Sequence, residues 1–307
     1  MNLLFTMKTA FMALLRNRLR SGLTMLGIII GISSVIVMIS VGQGAKASIE
    51  NEIKSMGTNM LMIMSGSMKS MGQRQATGSS QTMTPEDVEA ILKECPAVLN
   101  ATPNVSSSGS LVYGNANWTS SLLGVSPDYF IIRDWQTSSG TVFTESDVNG
   151  ANKVCVLGTE VVANLFPNED PIGKMIRIKG IPFKVVGVMV SKGQAAMGPN
   201  QDDTVIIPYT TLMKRILNQT NISGIMVSAV SQDQIADAKE QITELLRTRH
   251  RIKKGADDDF FIGSQTDITN MATSTSSIMT LLLGSVASIS LIVGGIGIMN
   301  IMLVSVR

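Results

Sequence analysis

The chain has 307 residues and is 44% hydrophobic, yet only 4% aromatic and 16% charged, well below the quarter usual for soluble domains. Its net charge of +2, from 25 basic and 23 acidic residues, excludes the strongly basic balance of a nucleic-acid binder, and a single histidine gives hydrolase chemistry no support. The charge deficit is local: residues 21–45 and 268–306 hold no Asp, Glu, Lys or Arg. About twenty such residues in a helix cross a roughly 30 Å hydrocarbon core, so both stretches predict transmembrane helices.

Residues 1–20 place Leu4, Met7, Phe11, Leu14 and Leu15 on one helical face, with Lys8, Arg16, Arg18 and Arg20 mostly elsewhere. That pattern predicts a basic amphipathic helix at the inner-leaflet interface, and the absence of acids there puts this end in the cytoplasm. Residues 21–42 follow as a first transmembrane helix. Ala45-Lys46-Ala47 has the look of a signal cleavage site, but the apolar run exceeds the roughly 7–15 residues of a signal core. Residues 43–276 then lie outside, and they carry a weakly acidic net charge of about −3. A second transmembrane helix over 277–306 returns to the cytoplasm. Its residues 278–306 would reach about 43 Å as a helix, so it begins as a stalk.

In the outer region, Ala45, Ile49, Ile53 and Met56 recur at helical spacing and extend the first helix outward as a stalk. Residues 59–64 (NMLMIM) read as a strand, and the Gly-, Ser- and Gln-rich residues 65–83 as a mobile loop. Thr84-Pro85-Glu86-Asp87 is a helix start, with Val88, Ile91, Leu92 and Cys95 on its apolar face. A second helix starts at Ser231, with Gln234 three residues on, and buries Ile235, Ala238, Ile242, Leu245 and Leu246. Each is flanked by strand-like runs, which predicts a split βαβ pair built from two sequence-distant halves. Between them, VCVLG, MIRIKG, FKVVGVMV and TVIIP are short β-branched runs punctuated by Gly and Pro, so 121–221 read as a mostly β insertion.

Chemistry-bearing motifs are few. Gly173-Lys174 lacks the upstream Gly and following Ser/Thr of a phosphate loop. His250 sits in a basic helix end, TRHRIKK, where a solvated cation suits the helix C-terminus better than a catalytic role. The 21 methionines raise Cu(I) binding, with Met60, Met62 and Met64 on one strand face and Met68 and Met71 beyond, although Met is also an ordinary core filler. Cys95 and Cys155 both fall on the outer side, where an oxidising compartment permits a disulfide; whether they meet stays open. Small residues at Gly27 and Gly31, Gly284 and Ser288, and Ser290 and Gly294 have the four-residue spacing at which membrane helices pack or dimerise.

Three blocks carry a family resemblance: RNRLRSGLTMLGIIIGISSVIVMISVGQGA, KVCVLGTEVVANLFPNEDPIGKMIRIKGIPFKVVGVM and GGIGIMNIMLVSV. They resemble the first span, the periplasmic domain and the second span of MacB/FtsX-type ABC transporter permeases. The resemblance implies a membrane protein of α+β class. Two transmembrane helices with long stalks would bracket an extracytoplasmic domain, in which a porter-like α/β lobe (43–120 and 222–266) carries a β-rich inserted lobe (121–221). It further implies that the third and fourth spans of such permeases are absent from this sequence. The chain would be a non-enzymatic subunit in the inner membrane, with no cofactor of its own. ATP and Mg would be bound by a separate ATPase polypeptide, and a homodimer, a periplasmic adaptor and an outer-membrane channel are the implied partners. The expected work is ATP-driven mechanical transmission for efflux. The alternative is a two-span sensory receptor with an extracytoplasmic ligand domain.

Overall fold

The computed structural model describes residues 36–44, 59–66, 82–194 and 200–264, with single positions within 25–33 and 267–299. The chain divides into two compact units, Asn51–Ile268 on the one hand and Met1–Glu50 with Thr269–Arg307 on the other.

The first unit is built on two sheets that share one strand. β1 (Met60–Ser65), β2 (Val98–Tyr113), β9 (Gly224–Ala229) and β10 (Phe260–Ser264) form an antiparallel sheet in the order β10-β1-β9-β2. With α1 (Pro85–Glu94) after β1 and α6 (Ile235–Arg249) between β9 and β10, this is the split βαβ arrangement expected from the two distant halves. Period-two alternation sorts the strand side chains. Leu61 and Ile63 face Val88 and Ile91 of α1 and Ala238, Ile242 and Leu246 of α6, while Met60 turns the other way. α1 starts where the Thr84-Pro85 signature put it: the Thr84 backbone N–H and hydroxyl both donate to the Asp87 carboxylate, at 2.9 and 3.2 Å. The helix expected from Ser231 opens instead as a short 3₁₀ turn, Gln232–Gln234, and becomes α-helical at Ile235.

The inserted lobe continues from β2. At 16 residues β2 is long enough to serve both sheets: residues 98–104 pair with β9, and residues 105–113 with β3 (Ala116–Val125). From β3 the second sheet runs through β8 (Thr204–Pro208), β5 (Val154–Leu157) and β7 (Ile181–Met189) to β4 (Thr137–Gly140), with β6 (Met175–Ile178) paired to β2 and β7. β3 with β8 and β5 with β7 are parallel; the other pairs are antiparallel. Short helices α2 (Asp128–Ile132), α3 (Glu145–Asn149), α4 (Thr159–Leu165) and α5 (Tyr209–Thr211), the last continued by a π-helical turn over Leu212–Leu217, fill the crossovers. The hand-over between lobes thus falls inside β2, between Asn104 and Val105, and not at the 120/121 boundary expected from composition. Pro103 and Asn104 stand at the change of sheet, but the strand runs through them, so these turn-type residues mark a change of partner and not a turn.

Both lobes share a core. Leu61, Ile91 and Leu246 of the split βαβ lobe belong to the same buried cluster as Leu111, Leu122, Phe183 and Ile207 of the insertion. A second cluster packs Tyr129, Phe130 and Ile132 of α2, with Trp135 and Met189, against Met60 and Met226 on the other face of the first sheet. Gly158 allows one close approach in the insertion, since a Cβ there would stand 2.2 Å from the Asp202 carbonyl oxygen.

The second unit contains the apolar segments. Its described residues are helical, including 36–44 throughout, and most of their large apolar side chains, such as Ile36, Val37, Leu281 and Val286, are more than half exposed. Among the described residues no helix is long and apolar enough to cross a membrane. The expected amphipathic helix with Lys8, Arg16, Arg18 and Arg20, the stalk over 45–58 and the loop methionines Met68 and Met71 lie outside the described residues.

Candidate functional site

Two places combine close packing with polar or small side chains. The first is where the apolar helices meet. Gly284 is half-buried, and a Cβ built on it would stand 4.0 Å from Met38 Sδ. That is ordinary van der Waals contact, so the two helices approach at one of the small residues singled out from spacing. Ser288, one turn on, is exposed in the single chain, and Gly295 has nothing within 4 Å. Gly27, Gly31, Ser290 and Gly294 lie outside the described residues.

The second place is a charged network in the split βαβ lobe, where α1 begins, α6 ends and the chain turns into β10. Arg249 Nε donates to Asp87 Oδ1 at 2.6 Å, and His250 Nδ1 lies 2.9 and 3.0 Å from the two carboxylate oxygens of Asp259. Burial pushes the Asp87 carboxyl up. Hydrogen bonds from Arg249 and the Thr84 backbone, with the Arg249 and His250 charges, outweigh it and hold the group below its ordinary value. His250 is therefore not the solvated cap expected from the basic helix end. Its side chain is 7% exposed, because Asp87 and Asp259 reach it from sequence positions that the TRHRIKK stretch cannot announce. Arg247 pairs with Asp258 alongside.

The inserted lobe has its own polar fastenings. Thr102 of β2 accepts hydrogen bonds from the backbone N–H and hydroxyl of Ser126, both at 2.9 Å, across the boundary between lobes. Asp202 accepts from Ser191 Oγ and from the backbone N–H groups of Lys192 and Gly193, at 2.5, 2.8 and 3.1 Å, which closes the loop after β7 onto the entry of β8. Lys192 lies 5.5 Å from the Trp135 ring centre, and burial with the nearby Arg133 charge pulls its ammonium down to about 8.

Two alternatives left open by the sequence find their place here. Cys95 and Cys155 are free buried thiols and form no disulfide. Cys95 caps the end of α1, whereas Cys155 lies within β5 with its thiol 3.7 Å from the Lys184 carbonyl oxygen, so the two belong to different lobes. Burial raises both thiols, Cys95 to about 11 and Cys155 further, which makes them inert. Two of the three methionines on that strand face pack: Met60 is buried against α2 and Met62 stands opposite Met226 on the neighbouring strand, while Met64 is exposed. Among the described residues no group of three or more His, Cys, Asp or Glu side chains could hold a metal ion.

A split βαβ lobe carrying a β-rich insertion through a shared strand, flanked in sequence by two apolar helical segments, defines the class. Residues 21–245 match the model of the MacB-like periplasmic core domain. The chain is 40% identical to the macrolide export ATP-binding/permease protein MacB of Syntrophobacter fumaroxidans, covering 98% of this chain and 50% of that protein. It is 45% identical to that of Chlorobium phaeobacteroides, covering 98% and 45%. It therefore spans about half the length of these curated relatives. Among solved structures it is similar to the periplasmic region of MacB from Actinobacillus actinomycetemcomitans, with 31% identity, a TM-score of 0.60 and coverage of 71% of this chain and 94% of that one. The extracellular domain of the transporter YknZ from Gram-positive bacteria has the same fold, at 19% identity and a TM-score of 0.55. The chain belongs to the MacB-type ABC transporter permeases.

Proposed function

We propose that this chain is the non-catalytic, force-transmitting permease part of a MacB-type efflux system, seated in the cell membrane with its split βαβ and inserted lobes outside. ATP with Mg is bound by the system's ATPase on the cytoplasmic side. A homodimer of the permease, with an adaptor and an outer-membrane channel where the cell has one, completes the assembly. The family membership and the exposed apolar helical residues of the second unit support this reading over a two-span receptor.

The observation that carries it is the layout of the outer domain. The chain enters through β1 and leaves through β10, which are hydrogen-bonded neighbours with Leu61 opposite Ser264. Their sheet shares an uninterrupted core with the insertion. A displacement applied to these two strands therefore moves both lobes as one body, because packed interiors transmit strain instead of absorbing it.

The test exploits the contact at Gly284. Leu at this position keeps the segment apolar but puts a branched side chain into the space beside the Met38 thioether. In the full-length permease with its ATPase, Gly284→Leu should reach normal membrane levels yet lose most substrate-stimulated ATP turnover. Gly295→Leu, which meets nothing within 4 Å, should behave as wild type. Equal turnover in the two variants would remove force transmission through this contact.

A further inference from the structure

The network at the start of α1 contains an anomaly. Nδ1 of His250 is satisfied by Asp259, but Nε2 is buried, lies 3.5 Å from Asp87 Oδ2 and makes no hydrogen bond. The His250 and Asp87 side chains are 7% and 4% exposed, so bulk water does not reach the gap. Buried polar atoms left without a partner are uncommon enough to need a reason.

Protonation chemistry supplies one. In the neutral imidazole that gives its one proton to Asp259 through Nδ1, Nε2 carries a lone pair and faces a carboxylate oxygen, acceptor against acceptor. A second proton turns Nε2 into a donor, and the same 3.5 Å gap becomes a charge-assisted hydrogen bond waiting to shorten. Asp87 has room for it. Oδ2 already accepts from the Thr84 backbone N–H at 2.9 Å and, at 3.2 Å, from the Thr84 hydroxyl, which can rotate aside and yield its lone-pair site to Nε2–H.

We propose that His250 is a proton-operated clasp: protonated at both ring nitrogens it ties the start of α1, through Asp87, to the end of α6 and the entry of β10, and with a single proton it releases Asp87. The groups facing it are Asp87 from α1, Arg249 from its own helix, Asp259 from the segment before β10 and the edge-on ring of Phe260, with the Arg247–Asp258 pair beside them. β10 is the strand by which the chain leaves the outer domain, so the clasp makes the stiffness of the helix layer against that strand respond to external pH. The switch is isolated as well. His250 is the only histidine in the chain, and histidine is the side chain that ordinarily changes charge between pH 5 and 8.

Hydrogen exchange in the full chain, in detergent micelles, tests the clasp. Backbone protection across α1 is measured at pH 5.5 and 7.5 and corrected for intrinsic exchange. In the wild type it should fall about tenfold at the higher pH, the change one charge-assisted hydrogen bond brings to a local opening equilibrium. In His250→Gln the two pH values should agree. Equal protection at both values in the wild type, or the same tenfold ratio in His250→Gln, overturns the clasp. A second readout needs no variant: ¹⁵N spectra of the single histidine should show a persistent Nε2–H signal at pH 5.5 that is gone at pH 7.5. A ring whose Nε2–H never appears at the lower pH contradicts the proposal.

Discussion

The two lobes of the outer domain solve the same burial problem by opposite means. The split βαβ lobe is made of sequence-distant halves, yet its sheet is wholly antiparallel and its two long helices lie on one face. The inserted lobe is contiguous in sequence, yet it mixes parallel and antiparallel pairs and relies on helices of three to seven residues. Short helices bury little area of their own, so the insertion depends on a core it shares with its host. The difference teaches that sequence contiguity is a poor guide to mechanical independence here. The contiguous piece is the one that has no separate core.

The largest expected effect tests that dependence. Phe183→Ala in β7 and Ile91→Ala in α1 each empty a fully buried position in the shared cluster, at a cost of about 3–5 and 2–5 kcal/mol respectively. If the core is one, both variants lower a single thermal transition of the outer domain. Two transitions, each moved by only one variant, would separate the lobes and break the comparison.

A smaller effect distinguishes how the lobes hold their charges. Asp87 in α1 sits below its ordinary value of 3.8, so it stabilises the fold above that pH and the stabilisation is lost as pH falls through the lower, folded value. Asp87→Asn should cost about 1–3 kcal/mol at pH 7, through the weakened cap and the broken partner of Arg249, and the deficit should shrink toward pH 2. Urea melts across that range check both the size and the slope.

The smallest effect has the opposite sign. Burial raises Asp128 at the start of α2, and burial together with the Asp128 charge raises Glu145 at the start of α3. A carboxyl raised on folding costs stability at neutral pH, and the cost disappears as pH falls below its ordinary value. Asp128→Asn should therefore give a small rise in Tm at pH 7 and none at pH 3. A fall in Tm at pH 7 would show that the insertion holds this carboxylate favourably, as its host holds Asp87.

What sequence could announce followed from whether a signal was local. Thr84-Pro85 with Asp87 three residues on carries its own start code, and α1 begins there. The apolar run in residues 59–64 was equally plain, and β1 (Met60–Ser65) covers it to within a residue. β2 was not legible as a strand in two sheets, because the change at Asn104 is a change of partner and leaves the backbone extended. The site was harder still. Gly284 emerged from spacing alone, and a Cβ built there would stand 4.0 Å from Met38 Sδ. Asp87 and Arg249 are 162 positions apart, and His250 looked solvated because its own neighbours in sequence are Arg and Lys. Both carboxylates that bury it come from other elements, which no periodicity in TRHRIKK could show.

The central claim is that the outer domain moves as a single body, and it can be tested by locking the lobes together. Thr102 and Ser126 face each other across the lobe boundary with their hydroxyl oxygens 2.9 Å apart, so Thr102→Cys and Ser126→Cys bring two thiols together, and thiol counts under non-reducing conditions establish the bridge. The native thiols are buried with raised values, so oxidation should be selective for the new pair. Substrate-stimulated ATP turnover of the full-length permease with its ATPase is then measured oxidised and reduced. A rigid outer domain predicts equal rates; a rate that collapses on oxidation and returns with reductant would show that the lobes must part, and would contradict the account.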